Sequence, residues 1–179
     1  MEICFFSTIY TYWVYKINFI ISAFVNEILI IGIIDRAHQH SENRPTGCNL
    51  GLDNYNCLVR WVDMPGMKWY NVVSLVHGSI NLRGIPKAVL LHCGGNDIGD
   101  VPCGAVSSDE IYNYNFIEDA PGCSVIWSSI LPRRSWRYSI KDRAMEITRK
   151  RINRGIRPYI LKYGGYVVKY PDCIPFAGV

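Results

Sequence analysis

No histidine follows His92, no C-x-x-C pair occurs, and no internal repeat or low-complexity linker interrupts the 179 residues. Each absence excludes something. The chain beyond His92 offers no imidazole to serve as a base or a ligand. The seven cysteines (Cys4, Cys48, Cys57, Cys93, Cys103, Cys123 and Cys173) are odd in number and widely spaced. That pattern is neither a disulfide framework nor a zinc knuckle. Reduced, mostly buried thiols follow, and with them a cytoplasmic or intracellular location. Charged residues make up 19% of the chain, below the usual quarter, while hydrophobic residues reach 49%. Global disorder is excluded, and one domain with a sizeable core is expected. Nothing calls for a cofactor.

What is present is an alternation of apolar runs and helical periodicities. Glu27–Ile34 reads as a first, β-branched strand, followed by a short polar helix over Arg36–Ser41. A turn-rich stretch through Asn54 leads to a second strand at Cys57–Val62, more polar and so placed at an edge. Trp69, Val72, Val73, Val76 and Ile80 recur at helical spacing within a helix over Met67–Leu82. Ala88–Leu91 is apolar on both faces, the mark of a central strand in a parallel sheet. A short helix beginning at Asp109, a fourth strand at Cys123–Ser128, a long helix over Ser139–Tyr163 and a fifth strand at Tyr166–Tyr170 complete the series. In the long helix Ile140, Ala144, Ile147, Ile152, Ile156 and Tyr159 form the expected apolar face. Pro158 is expected to kink or divide it, and Gly164-Gly165 to cap it. Strands alternating with helices predict an α/β fold, a three-layer α/β/α flavodoxin-like sandwich of about five parallel strands in the order 2-1-3-4-5.

The central strand runs into Gly94-Gly95-Asn96-Asp97. Glycine permits the sharp turn, and Asn96 stands at the carboxyl end of the strand, where open α/β sheets bind ligands. An Asn amide placed there can donate to developing negative charge. Gly94, Gly95, Asn96 and Asp97 match the Gly-x-Asn-Asp motif, and here the chain resembles the SGNH (GDSL-type) hydrolases, from about Glu27 to Asp172. The resemblance implies the flavodoxin-like fold, a small ester or acyl ligand, and a Ser/Asp/His triad. It also assigns Asn96 and Gly66, in the turn after the second strand, as oxyanion-hole donors.

Two blocks of that pattern are missing. Where the family places its nucleophilic serine, this chain reads Gly32-Ile33-Ile34-Asp35-Arg36, and the nearest serine beyond is Ser41. The family's final Asp-x-x-His is absent, because Asp172 is followed by Cys173, Ile174 and Pro175. A serine hydroxyl without a base is a poor nucleophile. The expectation is a degenerate domain over 27–179, incomplete at its C-terminus, that leaves apolar sheet surface uncovered and is catalytically silent. The alternatives are an esterase with an unconventional nucleophile, and a nucleic-acid-binding module. The latter would use the segment Arg133–Lys162, which holds 11 Lys/Arg against Asp142 and Glu146 in a chain of net charge +4. A solvated helix face explains that segment more simply, so no nucleic-acid partner is expected.

The remaining histidines suggest no metal. His92 reads as a hydrogen-bonded residue of the central strand. His38 and His40 point apart on a helix, with no third ligand evident. Residues 1–26 form an apolar extension that includes 3–25, long enough to span a bilayer but carrying Lys16 and Asn18 at its middle. Three readings stay open: a membrane anchor, a core-packing extension, or sequence foreign to the domain.

Overall fold

A computed structural model describes residues 26–32, 35–100, 120–133, 135–136 and 141–170. In chain order the elements are β1 (Asn26–Gly32), α1 (Asp35–Glu42), a 3₁₀ turn (Leu52–Tyr55), β2 (Cys57–Asp63), α2 (Tyr70–Arg83), β3 (Ala88–His92), β4 (Ser124–Ser128), α3 (Asp142–Lys162) and β5 (Tyr166–Val168). The strands form one sheet in the order β2-β1-β3-β4-β5, and every neighbouring pair is parallel. The expected α/β class and strand order are both found. The N-terminal apolar segment and the short helix near Asp109 lie outside the described residues, and no described helix is long and apolar enough to cross a membrane.

Burial explains the composition of the strands. Ile28, Leu29, Ile30 and Ile31 of β1 and Ala88, Val89, Leu90 and Leu91 of β3 are all fully buried, as strands covered on both faces must be. On one face Leu29, Ile31, Val89, Leu91, Val125 and Trp127 meet Val72 and Val76 of α2 and Ile152, Ile156 and Ile160 of α3. On the other, Ile28, Ile30, Val59 and Leu90 pack with Leu50 and Leu52 from the segment after α1, and Ala37 of α1 joins them. The edge position of β2 shows in Leu58, which is exposed. Its one buried charge, Arg60, donates to Glu27 at 2.7 Å.

Three expectations need correction. The second sheet face is not bare, since Leu90, Ile126 and Val168 are buried. Pro158 does not divide α3, which runs unbroken to Lys162. The bond lost at its missing N–H falls on an exposed side of the last turns, where water can serve the orphaned carbonyl. The inward face of α3 holds Ile152 and Ile156, with Ala144 and Tyr159 packed against the same core, as expected, but Ile147 falls outside it at 48% exposure while Met145, Thr148 and Ile160 are buried. Ile147 precedes Ile152 by five residues, about 140° around a helix of 3.6 residues per turn. Thr148 takes an inward position because its hydroxyl donates to the Ala144 carbonyl at 3.1 Å. The expected glycine cap does close the helix: Gly164 adopts φ 73° and Gly165 donates to the Ile160 carbonyl at 2.9 Å.

Candidate functional site at the carboxyl end of the sheet

Because all strands are parallel, Gly32, Asp63, His92, Ser128 and Val168 stand at one end of the sheet. The chain past β3 turns at Gly94, whose φ of 88° is open to glycine, and Asp97 N–H closes the turn on the Gly94 carbonyl at 3.3 Å. A side chain at Gly94 would also press on Ile130 at 3.0 Å.

This turn is fastened to the loop before α2 by three contacts. The Asn96 amide donates to the Met67 carbonyl at 3.1 Å. The Asp97 carboxylate accepts the Trp69 N–H at 3.1 and 3.2 Å, and Lys68 pairs with Asp100. Gly66, with φ 74° and exposed, immediately precedes Met67. Two sites 30 residues apart in sequence are thus held side by side at the sheet end. Burial pushes the Asp97 carboxyl above the ordinary carboxylate value, while the Trp69 N–H and the Lys68 charge pull it down. Its role is to brace the turn.

The loop leaving β4 contributes a residue that sequence reasoning did not single out. Both terminal nitrogens of Arg133 reach the Asn96 carbonyl oxygen at 3.3 Å, and the guanidinium lies 5.5 Å from the Trp136 ring centre. A methyl group on Gly95 would stand 2.7 Å from Arg133 Nη2, so Gly95 leaves room for this cation. The loop itself is pinned from α3, where Arg149 donates to the Ile130 carbonyl at 2.6 Å and Asn153 clasps both backbone groups of Ile130. Arg149 also pairs with Glu146, whose carboxyl falls below its usual range through that hydrogen bond. Much of what the sequence shows as a basic run is therefore structural at Arg149 and exposed at Lys150, Arg151, Arg154 and Arg157.

His92 and Ser128 form a Ser–His pair at the ends of β3 and β4. His92 Nδ1 lies 2.7 Å from Ser128 Oγ, which lies 2.7 Å from the Tyr170 hydroxyl. The expected hydrogen-bonded role of His92 is found. Burial, aided by the Arg133 charge, lowers its pKa to about 4, so the imidazole is neutral and weakly basic near pH 7. Ser128 is fully buried. Ser41, the first serine after β1, is also buried, and its hydroxyl donates to the His38 carbonyl at 2.6 Å. His40 accepts from Arg44 at 3.0 Å, while His38 stacks on Trp61, so the two histidines of α1 do diverge. The four described cysteines, Cys48, Cys57, Cys93 and Cys123, are free thiols.

No protein-family model matches the chain, and no curated protein matches it. Solved structures do. A Bacteroides fragilis protein assigned as an acylhydrolase aligns over 80% of this chain and 66% of its own, at 19% identity and TM-score 0.55. An acetylxylan esterase from Geobacillus stearothermophilus, crystallised as a catalytic mutant, aligns over 80% and 75%, at 12% identity and TM-score 0.57. A GDSL-like lipase from Bacteroides thetaiotaomicron aligns over 86% and 76%, at 20% identity and TM-score 0.52. The chain spans about two thirds of the first of these relatives.

Proposed function

The fold is that of the SGNH/GDSL-type esterases and acylhydrolases, and from it we propose that this chain is a catalytically silent member of that architecture. It would offer the oxyanion-binding end of the sheet to a small ester or acyl ligand without cleaving it. The observation that carries the reading is the contrast between two halves of the site. On the donor side, Asn96 is fixed against the loop of Gly66, and of its two amide hydrogens one is given to Met67, which supports reading the pair as oxyanion donors. A carboxamide and a glycine N–H beside a helix start suit an acyl oxygen. The nucleophile half has no counterpart in the described residues. Ser41 and Ser128 are buried, and His92, half-buried and with its pKa near 4, holds Ser128 in a hydrogen-bonded chain that ends at Tyr170. Oxyanion donors alone leave only a small residue of a triad enzyme's acceleration.

Labelling the purified full chain with a fluorophosphonate serine probe, with the site located by mass spectrometry, tests this. No labelled serine is expected from protein that is folded by circular dichroism. Label on a single serine, lost in Asn96→Ala, would overturn silence in favour of an esterase with an unconventional nucleophile.

A further inference from the structure

We propose that His38, Glu42 and Cys48 form a site for a zinc-type divalent cation beside the carboxyl end of β2. His38 and Glu42 are four residues apart on α1 and so share one face. Cys48 is brought back over that face by successive tight turns: Arg44 N–H to the Ser41 carbonyl at 3.1 Å, Gly47 N–H to Arg44 at 2.9 Å, and Gly51 N–H to Thr46 at 2.9 Å. One ligand atom from each of the three residues falls within 4.8 Å of the others. Tetrahedral coordination at metal–ligand bonds of about 2.0–2.3 Å needs donors roughly 3.3–3.8 Å apart. Side-chain rotation, freest at the exposed Glu42, would have to draw the donors together to that spacing.

The surroundings support the ligands as well as bringing them together. The Trp61 ring stacks on His38, with centres 5.0 Å apart and planes within 9°. Its indole N–H donates to the Cys48 carbonyl at 2.8 Å. A single residue of β2 therefore holds two of the three ligands. Asp63 places a carboxylate oxygen 3.8 Å from His38 Nδ1, which adds negative charge beside the three donors. Imidazole, thiolate and carboxylate together favour zinc and similar borderline ions over magnesium or calcium, which take oxygen ligands. Three protein ligands at a partly exposed surface leave the fourth position to solvent. The sequence hid this site because His38-x-His40 drew the eye, whereas the third donor lies beyond the helix.

Titration of the metal-free, reduced full chain with Co²⁺, followed by absorption, reads the site directly. One Co²⁺ per chain is expected, with a thiolate-to-cobalt charge-transfer band that Zn²⁺ abolishes. The band should vanish in Cys48→Ser, and affinity should fall at least about 10-fold in Glu42→Gln, an exposed position whose change leaves the fold intact. A folded chain that shows no charge-transfer band overturns the proposal, and so does a band that survives Cys48→Ser.

Discussion

Asn96 donates to the carbonyl of Met67 at 3.1 Å while its own carbonyl receives Arg133 at 3.3 Å. One side chain thereby joins three loops at the end of the sheet: the turn after β3, the approach to α2 and the exit from β4. The amide is held from both ends, which fixes the direction in which its remaining N–H points.

Asn96→Ala should destabilise the chain by about 1–2 kcal/mol, because a partly buried carbonyl and a cation each lose a partner. Arg133→Ala should be partly redundant with it. In a double-mutant cycle by urea denaturation the pair is expected to couple by more than about 0.5 kcal/mol. Additive effects would mean that the Arg133–Asn96 contact carries no energy.

Acid should weaken the fold through His92. Its pKa in the folded chain is about 4 against an ordinary 6.5, so between those values the unfolded chain binds a proton that the folded chain refuses. Stability then falls as pH drops through that window, by about 3 kcal/mol at most, and levels off below it. Asp97, raised by burial, slopes the other way, losing stability as pH rises through its own titration. The informative comparison is therefore with His92→Gln, which keeps an acceptor for Ser128 but has no proton to bind. Its urea midpoints should depend less on pH from 6.5 down to 4. Parallel profiles for the two proteins would remove His92 as the cause.

The packed face of α3 makes a simpler test. Ile156 is fully buried, so Ile156→Ala should cost about 2–5 kcal/mol. Ile147 is 48% exposed, so Ile147→Ala should stay within about 0.5 kcal/mol. Thermal or chemical denaturation distinguishes the two, and equal losses would return Ile147 to the packed face.

What the sequence by itself determined was the order and kind of the elements. Runs such as Ile28–Ile31 and Ala88–Leu91 are apolar at every position, so they can only sit between two covering layers. The Gly94–Asp97 motif marked the carboxyl end of the sheet as the candidate site. Periodicity placed α3 and most of its inward face, Ile152 and Ile156 included, but not Ile147, because Met145 and Ile147 allow more than one apolar stripe until a sheet is packed against the helix. Only the tertiary structure decided which distant groups meet. The Arg133–Asn96 contact spans 37 residues, and Trp61 reaches back 13 residues to Cys48. Such pairings leave no local pattern, since they depend on parallel strands delivering their loops to one edge. For the same reason Ser128 and His92 became a hydrogen-bonded pair, 36 residues apart in the chain and 2.7 Å apart in the fold.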